Sequence, residues 1–160
     1  MNETYHTVVI GGGCLGVACA VSLDRALKST DCGDICLVEK AVLGAGLSSR
    51  HSAIVRSANA SPVAARIAKK STEYWKELKN IWGVAAPWSQ TGAIWIGKNN
   101  HEEKTPNAWR QLAQKMQENN IEFYPIDIKK TKNLTSGQIR LDEDELYYFE
   151  PDVLQLEASG

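Results

Sequence analysis

The residues Thr7-Val8-Val9-Ile10 run directly into Gly11-Gly12-Gly13-Cys14-Leu15-Gly16. The short β-branched stretch Tyr5–Ile10 reads as a buried strand, and the apolar residues from Cys14 to about Lys28 recur as on a helix. Ser29-Thr30-Asp31-Cys32-Gly33 is a turn-rich loop, and Asp34–Val38 is a second buried strand stopping at Glu39. Strand, glycine turn, helix and strand in so short a stretch make a βαβ unit, whose two strands lie parallel in one sheet.

Spacing gives each glycine of Gly11-x-Gly13-x-x-Gly16 a task. Gly11 permits the tight turn, Gly13 leaves room for a pyrophosphate against the backbone, and Gly16 lets the helix pack close to the strand. The helix then directs free N–H groups and the positive end of its dipole at the phosphates. Glu39 falls about 20 residues beyond the last glycine, where an acid accepts hydrogen bonds from ribose hydroxyls and disfavours a 2′-phosphate. That argues against NADP but leaves NAD and FAD open. The loop Gly44-Ala45-Gly46-Leu47-Ser48-Ser49-Arg50-His51-Ser52 favours FAD. Its small residues allow close approach, while its hydroxyls and guanidinium offer donors to anionic oxygens. A nicotinamide enzyme more often enters a helix promptly after its ribose acid.

The remaining chain supports a soluble globular reading. Its 160 residues suffice for one compact domain with a core. With 18 Lys and Arg against 19 Asp and Glu, the formal charge of -1 excludes a strongly basic nucleic-acid binder. The longest uncharged run, Thr7–Leu23, is interrupted by four glycines and preceded by no basic segment, so it suits neither a membrane span nor a secretory signal. Cys14, Cys19, Cys32 and Cys36 have no zinc-like spacing, so no metal site is expected and a reducing cytoplasm is the expected compartment.

After a long loop to about Ala60 comes a helix with Ser61 as N-cap and Pro62 in its first position, stopped by Gly83. Val63, Ile67, Ser71, Tyr74, Leu78 and Ile81 form its expected inner stripe, joined by Ala64, Ala68, Trp75 and Trp82. Arg66, Lys69, Lys70, Glu73, Lys76 and Lys79 form its solvated face. Tyr74, Trp75 and Trp82 are read as core. Further on, strands are expected at Thr91–Ile96, Ile121–Ile126 and Leu146–Phe149. A helix capped by Thr105-Pro106 should run to about Asn119, and a single helical turn occupies Asp127–Thr131. The acidic run Asp142–Glu145 reads as a solvated turn. The fold class is therefore α/β, a Rossmann-like βαβ unit (residues 1–60, with the cofactor loop) followed by a long helix and a partial α+β layer (61–160).

The stretch Val8–Gly16, the strand end Leu37-Val38-Glu39-Lys40 and the loop Gly44…Ser48-Ser49-Arg50 resemble the N-terminal part of the FAD-dependent D-amino-acid oxidase superfamily, in its sarcosine oxidase and dimethylglycine dehydrogenase branch. Ile54-Val55-Arg56-Ser57, the amphipathic helix and the Thr91-Gly92 strand resemble that branch too. The resemblance implies that Gly11, Gly13, Gly16 and Glu39, with Lys40 beside it, hold the ADP half of FAD. Ser48, Ser49 and Arg50 would approach the pyrophosphate and ribityl region. It also implies oxidation of the C–N bond of an amine or amino acid, such as an N-methylated glycine or a D-amino acid.

Dimethylglycine-type enzymes attach flavin to a histidine near the place of His51. Imidazole is a competent nucleophile for this, but the flanking residues differ from the family pattern, so the favoured role for His51 is hydrogen bonding or solvent exposure. Arg56 is either a clamp for a substrate carboxylate, as the resemblance implies, or the partner of a local acid. Family members are considerably longer, so the chain is expected to be cut short, with a missing C-terminal half or a second chain completing it. The rival functions are an FAD-dependent hydroxy-acid or glycerol-phosphate dehydrogenase and a non-catalytic nucleotide-binding subunit.

Overall fold

The computed structural model describes residues 4–28, 33–83, 88–98 and 108–156. The chain divides into two compact units, Met1–Ser52 and Ala53–Gly160.

In the first unit, β1 (Thr7–Ile10) pairs in parallel with β2 (Ile35–Val38), Thr7 opposite Ile35 and Ile10 opposite Val38. Helix α1 (Cys14–Leu27) connects them, giving the βαβ unit its expected order. The turn expected at residues 29–32, with Cys32, lies outside the described residues. The strands are not buried as expected. β1 alternates between half-buried and exposed, no residue of α1 is buried, and Ile10 and Leu15 are 86% and 80% exposed. A parallel sheet buries its strands when helices cover both faces, and among the described residues of this unit α1 is the one α-helix.

The second unit comprises β3 (Ile54–Val55), α2 (Pro62–Trp82), β4 (Trp88–Gln90), β5 (Ala93–Lys98), α3 (Ala108–Glu118), β6 (Tyr124–Ile126), α4 (Ile128–Leu134), β7 (Glu145–Glu150) and β8 (Leu154–Leu156). Its strands form two antiparallel sheets, β3-β8-β4 and β5-β7-β6. Ile54 and Val55, grouped with the cofactor loop in the sequence, pair with Gln155 and Leu154 and so lie here. Ala58, Ala65, Met116, Ile121, Phe123 and Tyr148 form the core. Phe123 stacks on Tyr148 at 5.2 Å, and Trp95 meets Phe123 edge-on at 5.9 Å.

Helix α2 starts as its cap requires, with Ser61 accepting from the Ala64 N–H through its side chain and from the Ala65 N–H through its carbonyl. Its inner face keeps only part of the expected stripe, with Ala64, Leu78 and Ile81 half-buried. Val63 and Ile67 are 57% and 65% exposed and Tyr74 is exposed, whereas Ala65 and Thr72 are buried and Ala68, Lys69, Trp75 and Lys76 half-buried. Small residues at 65, 68 and 72 let the helix sit close to its neighbours. Two lysines expected in solvent fasten it: Lys69 donates to the Asn120 carbonyl at 2.7 Å, and Lys76 pairs with Asp152. The side chains of Lys79 and Trp82 are outside the described residues.

Other boundaries moved for local reasons. The Thr91–Ile96 strand begins at Ala93, because Gly92 (φ +68°) turns the chain and the Thr91 and Gly92 N–H groups both donate to the Val153 carbonyl. The Ile121–Ile126 strand begins at Tyr124. Asn120 (φ +54°) and the bonds from Asn120 and Ile121 N–H to the Gln117 and Met116 carbonyls close α3 in a Schellman turn. Thr105 and Pro106 lie outside the described residues. Asp127 caps α4 through the Lys130 N–H at 2.6 Å, and that helix runs on to Leu134. The acidic turn is tied down: the Tyr147 hydroxyl accepts from the Asp142 N–H at 2.7 Å and bonds Glu145 Oε2 at 2.8 Å. Burial, then the Glu145 bond, raises the Tyr147 phenol above its ordinary value.

Candidate functional site

The glycine bend is held by main-chain partners on several sides. Gly11 N–H donates to the Val38 carbonyl at 2.8 Å, carrying the strand pairing into the turn, and Gly44 N–H donates to the Gly12 carbonyl at 2.9 Å. Gly11 adopts φ +106°, open to glycine and rarely to other residues, and a Cβ at Gly16 would overlap the Gly11 carbonyl. The second requirement is the close helix–strand approach read from the spacing.

Glu39 lies against this bend. Its Oε2 accepts from the Gly12 N–H at 2.7 Å and its Oε1 from the Ala41 N–H at 3.0 Å. The Gly12 N–H above all, then the Ala41 N–H, holds its carboxyl below the usual carboxylate range, with Lys40 adding a smaller effect. Two acceptors used leave a carboxylate about two lone-pair positions for further donors. Ser48, on a short 3-10 turn (Leu47–Ser49), accepts from the Cys14 N–H at 2.9 Å and so stands at the N-terminus of α1.

The structure therefore brings Gly11, Gly13, Gly16, Glu39 and Ser48 together, with Lys40 exposed beside Glu39. Ser49 instead folds back on the Gly46 carbonyl at 3.2 Å, and Arg50 and His51 are exposed at the end of the turn. Sequence reasoning gave Gly12 no role and took Gly44 only as one of the loop's small residues. Gly12 is buried, and a Cβ there would run into Leu43 and Glu39. Its place inside the glycine run was the available signal.

Arg56 belongs to the second unit. It is exposed, donates from Nη1 to the Ala58 carbonyl at 2.6 Å, and lies over the Trp95 ring with Cζ 4.6 Å from the centroid. The local-acid pairing does not form: among the described residues no ion pair joins Arg56 to an acid. Arg56 lines a cleft of about 340 Å³ with Val55, Ala58, Asn59, Ser71 and Trp75. That is within the range of small-molecule sites. Trp75, read as core, is thus a cleft residue. Glu150, also missed, is wholly buried behind Arg56, where nothing in the sequence separates it from solvated acids. Among the described residues no three His, Cys, Asp or Glu side chains could hold a metal ion, and no helix is long and apolar enough to cross a membrane.

A parallel βαβ unit with a glycine bend, followed by antiparallel sheets and helices, defines a mixed α/β protein. Residues 6–154 match the family described as FAD dependent oxidoreductase (DAO), and the chain belongs to that family. It is 27% identical over 93 residues to a 4-methylaminobutanoate oxidase (formaldehyde-forming) of Paenarthrobacter nicotinovorans, a stretch that is 58% of this chain and 11% of that protein. The L-proline dehydrogenase of P. horikoshii shares the fold over 99% of this chain and 39% of its own, with TM-score 0.82 and 21% identity. A glycine oxidase of Geobacillus kaustophilus does so over 98% and 42%, with TM-score 0.71 and 17% identity. The chain thus spans well under half the length of these relatives.

Proposed function

We propose that this chain is the FAD-holding and substrate-binding part of an oxidoreductase that oxidises the C–N bond of a carboxylate-bearing amine, such as an N-methylated glycine or a D-amino acid. The observation that carries the reading is the 2.7 Å bond between Glu39 and the Gly12 N–H, which sets an acid with spare acceptors beside the glycine bend. Gly11, Gly13 and Gly16 leave the backbone open to the diphosphate, and Glu39 accepts from the ribose. Ser48 stands where an anionic oxygen would meet the helix N-terminus. Ser49 and Arg50 supply further donors toward the pyrophosphate and ribityl region, and His51 hydrogen-bonds rather than attaching covalently. Bound FAD supplies the two-electron acceptor.

Arg56 orients the substrate by its carboxylate at the edge of the cleft it lines. The relatives support this chemistry, since proline, glycine and 4-methylaminobutanoate each carry an amine and a carboxylate. Activity belongs to a protein in which this chain is joined, covalently or as a subunit, to the remainder of the fold. Cys14, Cys19 and Cys36 are free thiols, which supports a reducing, cytoplasmic setting.

The test is direct. The complete protein, this chain with the remainder of the fold, should be yellow when purified, bleach with N-methylglycine or a D-amino acid and not with hydroxy acids, and lose its flavin in Glu39→Ala. Colourless protein that alters NADH fluorescence, or undiminished flavin content in Glu39→Ala, overturns the reading. Colour retained in an acid precipitate would make His51 a covalent anchor instead.

A further inference from the structure

We infer that Glu150 is a positioning residue for Arg56, its buried carboxylate fixing the direction in which that cation meets a substrate carboxylate. This rests on Arg56 being the carboxylate's partner. Glu150 ends β7 and is 0% exposed. Its Oε1 accepts from the Ser57 and Ala58 N–H groups at 2.6 and 2.8 Å, and its Oε2 accepts from Trp95 Nε1 at 3.1 Å. The same two features hold the guanidinium: Ala58, whose carbonyl takes the Nη1 hydrogen bond, and Trp95, whose face lies under it. One carboxylate therefore sets both the anchor and the platform of Arg56.

The clasp is closed from the other side by the Ser57 and Thr72 hydroxyls, 3.2 Å apart, with Thr72 bonded to the Ala68 carbonyl on α2. A buried carboxylate is costly unless its acceptors are met, and here three donors meet them. Gln would not serve as well, because its NH₂ would face either the indole or the main-chain donors. An arginine otherwise free to sample many rotamers is thus ordered before any ligand arrives, which lowers the entropy lost on binding.

The test uses the complete flavin-loaded protein. N-methylglycine and its neutral analogue N-methylglycinamide are titrated against flavin absorbance in wild type, Arg56→Met, Glu150→Gln and Trp95→Phe. Wild type should prefer the acid, and Arg56→Met should abolish that preference. Glu150→Gln should weaken N-methylglycine binding about tenfold, leaving the amide within about twofold and flavin content unchanged. Trp95→Phe should give an intermediate loss. A wild-type preference in Glu150→Gln, with Arg56→Met impaired, overturns the positioning role and leaves the Arg56 reading standing. An unimpaired Arg56→Met sinks both. Equal weakening of acid and amide means general damage and also overturns the role. Should Glu150→Gln not fold, a wild-type preference in Trp95→Phe overturns it.

Discussion

The two units hold their shape by different means. In Met1–Ser52 the fixed points are hydrogen bonds around the glycine bend, with partners on Val38, Glu39, Gly44 and Ser48, while Ile10, Leu15 and Leu47 stand in solvent. In Ala53–Gly160 an aromatic and aliphatic core carries the fold, and the polar groups near the cleft hang on a buried carboxylate from a distant strand. The proposed nucleotide cradle is thus written almost entirely in local geometry. The arginine proposed to bind a carboxylate needs long-range packing to be aimed.

The contrast predicts opposite costs for similar truncations. Met116→Ala removes a wholly buried side chain and should destabilise the second unit by about 3 kcal/mol. Leu15→Ala, on an exposed position, should stay within about 0.5 kcal/mol. Urea unfolding followed by far-ultraviolet circular dichroism, to which the helices and strands of both units contribute, measures both. Equal costs would erase the distinction between the units.

Gly16→Ala probes the first unit where it is tight. The added Cβ meets the Gly11 carbonyl, which belongs to backbone already fixed by the Val38 bond, so relief requires helix and strand to part. Overpacking of this kind costs about 1–3 kcal/mol. We expect flavin content to fall while the circular dichroism of the aromatic core in the second unit is unchanged. Full flavin content would show that the close approach is not needed.

Those units also differ in how plainly the sequence announces them. The βαβ unit, its boundaries at Cys14 and Val38, and the meeting of Glu39 with the glycine bend follow from spacing, because each contact there is made by residues fixed to the ends of adjoining elements. The face of α2 was read wrongly because hydrophobicity was taken as burial. Ala65 and Thr72, outside the expected stripe, face inward because they are small, leaving the larger Val63 and Ile67 outside. β3 and β8 are too short to show alternation and exist through pairing with each other and with β4. Glu150 is illegible for the same reason: its three donors come from residues far away in the chain.

Asp127→Ala isolates a local term inside the non-local unit. Loss of the side-chain bond to the Lys130 N–H should cost about 1 kcal/mol, with Asp127→Asn restoring most of it. Denaturant midpoints of the three proteins check this. An Ala variant as stable as wild type would mean that packing of Thr131 alone holds α4.

The mildest perturbation is acid. Glu39 is depressed chiefly by the Gly12 N–H, so its ionised form is favoured in the folded bend. A carboxyl lowered on folding contributes stability above its unfolded pKa, near pH 4, and loses it as pH falls through the lower folded value. The amide resonance of Gly12 should therefore titrate with a midpoint below that of a free glutamate. A Gly12 midpoint at the ordinary value would mean that the carboxylate leaves the bend in solution. The proposed cradle would then lack the acid assigned to a ribose.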